Sequence, residues 1–467
     1  MPSLSGKTSI DWQAFKLALG DIPTIDRPAV VRQRSRDFFW YSPLLNRHLS
    51  NSIGDLVAQP RNQAELARCL SLAYAWDVPV VLRGGGTGNY GQAVPVDGGL
   101  ILETLGLNRI LEIGNGFVRV EAGCKISTLN EALREAGQEL PIFPSTQDMA
   151  TIGGFIAGGS GGIGSLRHGM LRDPGNIISL TVLSAEAEPL YRIFEGTAID
   201  LVHHAWGING AIVELTLRTV PAGDWVNCIA SFATYRAAFA AGAALGERLD
   251  IGCKLVTTLD GRIVRFFNRL REYMGTDRAI MLSLIERADL DSYRRLIAEL
   301  GGKVELAMDE AEREAAGLPH VFEFSYNHTT LQVLKVDKRC TYLQVLIPAP
   351  LDPARIDTLQ AVLGDDLLMH HEFSRLDGQL VAFDIPIVFY SGDERLYELV
   401  ALYESHGCPV ADPHTYIIED GGMKRANYRH LALKKQLDPK GLLNSGKSRE
   451  WARVKDLAPD AIRALEG

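Results

Sequence analysis

Residues 80–91 read VVLRGGGTGNYG, a short apolar run followed at once by a loop rich in glycine. Such a loop lets backbone amides approach a phosphate group closely, because glycine has no side chain to hold the ligand away. Gly86, Gly88 and Gly91 also match the G-x-G-x-x-G spacing of a dinucleotide-binding turn. That spacing is informative only where a helix opens on its last glycine. Here Pro95 and two further glycines follow, so the context does not favour a nicotinamide site.

The composition is that of a globular protein with more than one domain. The chain has 467 residues, 46% of them hydrophobic and 22% charged, and its mean hydropathy is +0.01. This length exceeds what one hydrophobic core usually supports. There are 57 acidic and 48 basic residues, a formal net charge of -9, which argues against nucleic acid or an anionic membrane as the main partner. Many of the 45 glycines lie in two clusters, near residues 84–91 and 153–164, as expected of loops that bind a ligand.

Cysteine usage and the N-terminus indicate a reducing compartment. The 6 cysteines form no C-x-x-C pair, which predicts buried reduced thiols rather than a zinc site or a redox dithiol. The first residues, MPSLSGKTSIDWQAFKLALG, lack the basic segment and apolar core of a signal peptide. No apolar run approaches the roughly 20 residues of a membrane span. We therefore expect a soluble cytoplasmic protein without an integral membrane segment.

Hydrophobic patterns indicate alternating helices and strands in the first half of the chain. The segment QPRNQAELARCLSLAYAWDVPVVLRGGG predicts a helix, a turn and a strand, with Asn62 as helix cap and Glu65 reaching back from the third position. The second glycine cluster, within TIGGFIAGGSGGIGSLRHG, is too dense in glycine to favour a helix. A boundary is predicted near Pro221, and residues 225–405 are poorer in glycine and mix helical with strand-like segments.

Four segments, in this order along the chain, resemble the FAD-linked oxidases, flavoproteins with the fold of p-cresol methylhydroxylase and vanillyl-alcohol oxidase. They read PVVLRGGGTGNYGQA, PSTQDMATIGGFIAGGSGGIGSLRHG, GINGAIVELTLRTVP and LDPKGLLNSGK, within residues 55–222 and 406–447. The resemblance implies an α+β fold with three parts. They are a two-subdomain FAD-binding domain of the p-cresol methylhydroxylase type over residues 1–222 (core 50–222), an α+β cap or substrate domain over 223–405, and a C-terminal segment, 406–467, that returns to the FAD-binding domain.

The resemblance assigns the phosphate of the first loop to FAD. In the family, this loop and the P-S/T…T-I-G-G stretch hold the pyrophosphate and the flavin. The residues thus predicted to bind FAD are Arg83, Gly84, Gly85, Gly86, Thr87, Gly88, Asn89, Gly91, Gln92, Pro144, Ser145, Thr146, Thr151, Ile152, Gly153, Gly154, Ile156, Gly158, Gly159, Gly164, Ile212, Val213, Asn444 and Lys447. Arg83 could either contact the phosphate or form an ion pair with another side chain. For both glycine clusters, the alternative is a set of tight turns that bind no ligand.

The resemblance also implies that the FAD is bound noncovalently. Relatives with bicovalent flavin read R-S-G-G-H at the first loop and carry a cysteine shortly before the second cluster. Thr87 and Met149 stand at those positions here, and neither side chain forms such a bond. A covalent link from a histidine or tyrosine of the cap, as some relatives have, stays open.

Oxidation of a substrate by flavin requires a proton acceptor beside the C–H bond that is broken. Histidine titrates in the right pH range, and His328, His371 and His414 are the predicted candidates. His328 and His371 belong to the cap, whereas His414 lies where the chain returns to the FAD-binding domain. A buried structural histidine is the alternative for each. Further candidates are Tyr326, Glu372, Tyr416 and Tyr428 as catalytic groups, and Lys335 and Arg339 as partners of a substrate carboxylate.

No metal site is predicted, because the H-x-G-D-G-N-x-H motif of some hydroxy-acid oxidising relatives is absent and adjacent residues such as His370 and His371 point to opposite faces of a strand. The predicted function is an FAD-dependent oxidase or dehydrogenase acting on a small alcohol or hydroxy acid. Its electron acceptor, whether oxygen, a quinone or a carrier protein, and its state as a monomer or homo-oligomer stay open. The alternatives are an NADPH-dependent flavin reductase of the enolpyruvyl-sugar reductase type and a non-catalytic flavin-binding module.

Overall fold

A computed structural model describes residues 10–421 and 427–466 of the chain. Its N-terminal part is a four-stranded sheet in the order β1-β2-β4-β3, with helices against it. The elements are α1 (Trp12–Leu19), β1 (Thr24–Ile25), α2 (Pro28–Arg34), α3 (Pro43–Leu49), β2 (Leu56–Ala58), α4 (Gln63–Ala75), β3 (Val80–Arg83) and β4 (Leu100–Glu103). Strands β2 and β3 both run parallel to β4. The first glycine loop, residues 84–91, therefore leaves the carboxyl end of a buried parallel strand.

Helix α4 begins as the sequence predicts. The Asn62 side chain accepts a hydrogen bond from the Glu65 amide at 3.0 Å, and Leu66, Leu70 and Ala73 are buried on one face. The partner of the Glu65 carboxylate is not the predicted one. The carboxylate accepts hydrogen bonds from the amide and guanidinium of Arg61 instead of from the Asn62 amide. The strand that follows, β3, also agrees with the pattern of the sequence.

A second sheet of five antiparallel strands follows, in the order β5-β6-β10-β8-β9. Its part of the chain comprises β5 (Ile110–Gly114), β6 (Phe117–Glu121), α5 (Ile126–Glu135), β7 (Gln138–Glu139), α6 (Ile152–Gly158), α7 (Ser165–His168), β8 (Ile177–Leu183), β9 (Tyr191–Glu195), β10 (Ala211–Arg218) and β11 (Val220–Pro221). The prediction that the glycine-dense stretch forms no helix was wrong for α6. Ile152, Phe155 and Ile156 bury one side of this helix, and Thr151 caps it, so tertiary packing outweighs the low helix propensity of glycine.

Residues 223–405, predicted to form the cap and called the cap below, contain a third sheet, of seven strands in the order β15-β12-β14-β13-β19-β20-β17, and a small sheet in the order β16-β21-β18. The elements of the cap are β12 (Trp225–Phe232), α8 (Tyr235–Glu247), β13 (Cys253–Leu259), β14 (Ala279–Glu286), α9 (Leu290–Glu299), β15 (Lys303–Met308), α10 (Glu310–Ala315), α11 (Asn327–Val336), β16 (Cys340–Tyr342), β17 (Val345–Ile347), α12 (Pro353–Leu363), β18 (Leu367–Leu368), β19 (His370–Leu376), β20 (Gln379–Asp384), β21 (Ile387–Phe389) and α13 (Asp393–Ser405). The molecule is thus of mixed α+β class.

The C-terminal segment returns from the cap to the first sheet and carries α14 (Tyr428–Leu437), α15 (Arg449–Val454) and α16 (Pro459–Arg463). Its backbone runs along β3, where the Val80 amide donates to Leu442 O at 2.9 Å and the Asn444 amide donates to Val80 O at 2.7 Å. All six cysteines are free and buried, which confirms the prediction of buried thiols. Within residues 10–421 and 427–466, no helix has both the length and the apolar character needed to span a bilayer.

A buried ion pair joins the cap to the second sheet region. Lys254 of β13 lies 2.5 Å from Glu139 of β7, and both side chains are almost fully enclosed. The Trp225 indole N–H donates to the same carboxylate at 3.1 Å. The Gly164 amide donates to Lys254 O at 3.0 Å, so the second glycine cluster is itself anchored on the cap. Charges buried this deeply are tolerated only when paired and hydrogen-bonded, and this arrangement fixes the cap against the glycine clusters.

Candidate cofactor and substrate site

A cavity of about 1030 Å³ lies between the two glycine clusters, the cap and the C-terminal segment. Its volume is that of a pocket for a large organic ligand. Met149 lines it, and so do many of the residues predicted to bind FAD. These are Gly84, Gly85, Gly86, Thr87, Gly88, Asn89, Gln92, Pro144, Ser145, Thr146, Thr151, Gly153, Gly154, Gly158, Gly159 and Ile212.

The first glycine loop offers backbone amides to this cavity. None of the described residues accepts a hydrogen bond from the amides of residues 84–88. These residues are half-buried and line the cavity, and a row of backbone amides is what binds a pyrophosphate. The loop also packs closely on the second cluster, because a Cβ at Gly84 would lie 2.1 Å from Thr151 Oγ1 and one at Gly85 would lie 2.0 Å from Met149 O. Larger residues at these two positions would push the two halves of the site apart.

Helix α6 presents two glycines to the cavity. A Cβ built on Gly158 would meet only the end of the Gln92 side chain, at 3.4 Å, and one on Gly154 would meet only Thr151 Oγ1, at 3.0 Å. A side chain at either position would therefore extend into the cavity and occupy ligand space. Ile152 and Ile156 face the other way, into the core. The glycine pattern and the unpaired amides fit a flat cofactor with a phosphate bridge.

The cap closes the cavity with the first turn of α11. Tyr326, Asn327 and His328 line it in succession, together with Glu323 from the turn before the helix. His328 Nδ1 lies 3.1 Å from Glu323 Oε2, and the His328 side chain is 13% exposed. The contact is an approach within ion-pair distance, and it places a carboxylate beside one nitrogen of the ring. Of the three predicted histidines, His328 is the one that lines the cavity.

Comparison with known proteins gives the same assignment for the cofactor. Residues 54–190 match the family model of the FAD binding domain. The chain is 37% identical over 187 residues to the glycolate oxidase subunit GlcD of Bacillus subtilis (36% of this chain, 38% of that protein). It is 29% identical over 170 residues to the D-lactate dehydrogenase of Archaeoglobus fulgidus (35% and 38%). These matches span less than half of each relative's length. The match to GlcD of Escherichia coli is longer, 427 residues at 24% identity (84% and 83%).

Two solved structures extend the comparison to the whole fold. Alkyldihydroxyacetonephosphate synthase superposes with a TM-score of 0.71 at 15% identity and covers 94% of this chain and 86% of its own. A variant of the BBE-like 1 protein of Physcomitrella patens superposes with a TM-score of 0.64 at 13% identity, with coverages of 93% and 98%. The chain is an FAD-binding protein with the fold of the FAD-linked oxidases.

Several residues predicted to bind FAD lie behind the FAD site instead of lining it. Arg83 is buried under the first glycine loop, donates to Arg36 O at 2.8 Å and lies 3.9 Å from Glu103, the ion-pair role that the sequence left open. Gly91 packs against Leu49, Gly164 against Pro141 O, and Val213 lies in a hydrophobic core. Direct contact with FAD thus stays a prediction for the residues that line the cavity, whereas these four lie outside its lining.

The LLNSGK end of the C-terminal segment also supports the FAD site from behind. The Asn444 amide group donates to Gln92 O at 2.9 Å and to Trp206 O at 2.7 Å. Lys447 is fully buried and donates to Gly91 O. Burial lowers the pKa of Lys447 to about 7, against the opposing effect of Asp37. Neither Asn444 nor Lys447 lines the cavity, so both act on the loop backbone.

His371 and His414 do not line the FAD cavity. His371 lies within the cap, with Nδ1 2.5 Å from the Tyr235 hydroxyl. His414 lies 2.8 Å from Ser42 Oγ through Nδ1 and 2.9 Å from Tyr342 O through Nε2. A carbonyl only accepts, so His414 Nε2 carries the proton and Nδ1 accepts from the serine. Burial lowers the pKa of His414 to about 4. Because neither ring lines the cavity, neither histidine is positioned to take a proton from a substrate.

Of the further candidates from the sequence, Tyr326 is the one that lines the cavity. The Tyr428 hydroxyl lies 3.3 Å from Glu450 Oε2, and Arg339 is mostly exposed and pairs with Asp337 at 2.7 Å. Tyr416, Glu372 and Lys335 also lie outside the set of cavity-lining residues. The prediction that Lys335 or Arg339 binds a substrate carboxylate therefore finds no support in the position of either side chain.

The FAD cavity also has a wall that the sequence did not reveal. Asp200, His203, His204 and Trp206 line it beside α6, and the Trp206 ring stacks on that of Tyr90 with centroids 6.1 Å apart. His204 and Trp206 adopt positive φ values of 54° and 57°. Such a backbone is uncommon for residues other than glycine, and no pattern of residue types in HHAWGING predicts it. The one sequence feature that could have indicated this wall is its position just before the GINGAIV segment, which belongs to the family resemblance.

Proposed function

We propose that the protein is an FAD-dependent oxidoreductase that oxidises a hydroxy acid or a small alcohol, with His328 as the proton acceptor. The names of the relatives support this class of substrate, since they include a glycolate oxidase subunit, a D-lactate dehydrogenase and D-2-hydroxyglutarate dehydrogenases. The observation that carries the proposal is the contact of His328 with Glu323 in the wall of the FAD cavity.

Bound FAD supplies the acceptor for the hydride. The protein supplies the rest. Glu323 lies beside Nδ1 of His328 and stabilises the imidazolium that forms when the ring takes the substrate proton. Tyr326 and Asn327 precede His328 in the cavity wall, and the Asn327 amide offers groups that orient a substrate hydroxyl. The cap residues Leu331, Leu376, Phe383 and Ile385 provide an apolar wall that excludes water. The protein thus orients, desolvates and deprotonates the substrate.

The test is the rate of flavin reduction by substrate under anaerobic conditions. A panel of hydroxy acids and alcohols first identifies the substrate that bleaches the flavin. His328→Gln is then expected to keep FAD bound and to slow flavin reduction about 100-fold or more, the scale of a lost general base. His320→Gln is the matched control, because His320 also pairs with a cap glutamate, Glu310, at 3.5 Å, but does not line the cavity. Reduction of both variants at the parent rate would contradict the assignment of His328.

The same experiment separates the alternatives. Bleaching of the flavin by NADPH alone, at a catalytic rate, would indicate the reductase of the enolpyruvyl-sugar type. Failure of every compound in the panel to bleach the flavin would indicate a flavin-binding module. Reoxidation of the reduced protein by oxygen, by a quinone analogue or by an electron carrier protein then distinguishes an oxidase from a dehydrogenase. A cytoplasmic location stays a prediction from the sequence, and the choice between a monomer and a homo-oligomer stays open.

A further inference from the structure

A carboxylate with no access to solvent lies directly behind the first turn of α11. Glu372 of β19 is fully buried. Its Oε1 accepts the backbone N–H of Tyr326 at 2.6 Å, and its Oε2 accepts the Thr257 hydroxyl at 2.7 Å. His370 Nε2 lies 2.6 Å from the same Oε1. A buried carboxylate is costly unless its oxygens are satisfied, and here each oxygen has a partner.

Tyr326 needs such a partner because its backbone is strained. Its φ of 50° and ψ of −144° lie in a region that residues with a side chain rarely adopt. Tyr326 is the residue before α11, and no side chain caps the helix there. The bond from its N–H to Glu372 is therefore one contact that opposes a return to a relaxed backbone. Strained residues of this kind concentrate at functional sites.

The Tyr326 side chain completes the link to the FAD-binding region. Its hydroxyl donates to Gly162 O, in the second glycine cluster, at 2.7 Å. Burial raises the pKa of Tyr326 well above its usual range, so the hydroxyl keeps the proton that it donates. One residue thus connects the buried carboxylate of the cap, the wall of the cavity and the flavin side of the site. His328 follows two residues later.

His370 keeps the carboxylate in place. Its Nδ1 lies 3.2 Å from Ile385 O, which only accepts, so Nδ1 carries a proton. One further proton is then shared between His370 Nε2 and Glu372 Oε1. Wherever that proton resides, Glu372 retains lone pairs for the Tyr326 N–H. The pair is closed to solvent, since both side chains are fully buried.

We propose that Glu372 is a positioning residue, which holds Tyr326 in its strained conformation and thereby places His328 at the substrate. The inference rests on the proposed function of His328 but concerns a residue that touches neither the cavity nor the cofactor. Displacement of a proton acceptor by about 1 Å can lower a rate 100-fold, so a residue that fixes the backbone two positions away has a measurable effect on catalysis.

The test compares two substitutions that leave no large cavity. Glu372→Gln keeps the length of the side chain and an oxygen for the Tyr326 N–H, but loses the proton shared with His370. Glu372→Asp keeps the carboxylate but is one methylene too short to reach. We expect Glu372→Asp to speed amide hydrogen exchange in residues 324–330 about 10-fold and to slow flavin reduction about 10-fold or more, with FAD affinity unchanged. Glu372→Gln should stay within about twofold of the parent in both, although its melting temperature falls.

Asp384→Asn is the control for a general loss of stability. Asp384 is an equally buried carboxylate on the neighbouring strand, bonded to the Tyr403 hydroxyl at 2.7 Å and to the His370 amide at 3.1 Å, and it does not line the cavity. Asparagine keeps an oxygen for the His370 amide, so Asp384→Asn should lower stability without changing flavin reduction. Equal effects of Glu372→Gln and Glu372→Asp, or parent-like exchange in Glu372→Asp, would overturn the inference. The exchange measurement needs no substrate, so its result stands even if the proposed function of His328 fails.

Discussion

At the scale of single residues, the partners of each ring nitrogen separate a catalytic histidine from a structural one. His328 and His414 both stand in polar stretches of the sequence, and nothing in the spacing distinguishes them. In the structure, a carboxylate engages one nitrogen of His328 in the cavity wall, whereas a serine and a carbonyl engage both nitrogens of His414. The partners come from segments up to 372 residues away, so the assignment depends on tertiary structure that local sequence patterns do not contain.

The structural role of His414 gives a pH dependence with a definite sign. Its pKa is lowered from 6.5 to about 4, so the unfolded chain takes up a proton at a higher pH than the folded protein does. The stabilisation from the neutral ring is complete above pH 6.5 and is lost as the pH falls toward 4. His414→Gln should remove about 2 kcal/mol of the loss in unfolding free energy between about pH 7 and pH 5. Denaturant unfolding at the two pH values measures this. An equal loss in parent and variant would show that His414 does not titrate in this way.

At the scale of elements, the C-terminal segment supports the first glycine loop although the two are more than 350 residues apart in the chain. Residues 442–444 lie along β3, Lys447 donates to Gly91 O at the end of the first glycine loop, and the Asn444 side chain donates to Gln92 O just after it. The motif LDPKGLLNSGK was predicted to contact FAD because it accompanies the glycine loops in the family. In the structure it lies behind the first glycine loop and does not line the cavity. Direct contact and support from behind are indistinguishable from sequence, because both place the same polar residues at the same loop.

Asn444 allows that support to be measured. Its side chain satisfies two carbonyl groups, and its φ of 45° is one that asparagine tolerates better than most residues. Asn444→Ala should weaken FAD binding about 10-fold or more, because two acceptors lose their donor and the backbone is strained. Asn444→Gly separates the two causes, since glycine accepts this φ without strain. Titration of the apoprotein with FAD gives both affinities. An alanine variant that binds FAD as the parent does would show that the loop needs no such support.

Helices α4 and α6 illustrate what sequence patterns predict at this scale. The apolar spacing and Asn62 cap of α4 are local features, and the structure confirms both. The glycines of α6 argue locally against a helix, yet the helix forms because Ile152, Phe155 and Ile156 are buried beneath it. Local propensity is overridden where burial of a few large apolar side chains outweighs it. Helix α6, where local propensity fails, lies at the cofactor site. Its glycines are needed there because any side chain would occupy the space of the ligand.

At the scale of the whole molecule, the FAD site is shared between parts of the chain that are far apart in sequence. The cavity is lined by both glycine clusters, by the cap and by the C-terminal segment, and the buried pair of Lys254 and Glu139 fixes the cap over the second cluster. The order of four short motifs was enough to predict this architecture. Tyr326 and Glu372 were candidates from the sequence, but the strained backbone of the one and the buried contacts of the other could not be predicted, because they depend on contacts between separate segments.

The mode of flavin attachment is a property of this assembled cavity. Thr87 and Met149 both line it, and Met149 is 53% exposed. All six cysteines are buried, and none lines the cavity. We therefore expect FAD to be held by amide contacts and burial alone.

Precipitation of the purified yellow protein with acid should release all of the flavin into the supernatant, as measured by absorbance. FAD added back to the apoprotein should raise the melting temperature in proportion to the logarithm of its concentration. Flavin that stays in the acid precipitate would show a covalent bond, and His328→Gln and Tyr326→Phe would then test the histidine and tyrosine of the cap that line the cavity as its source.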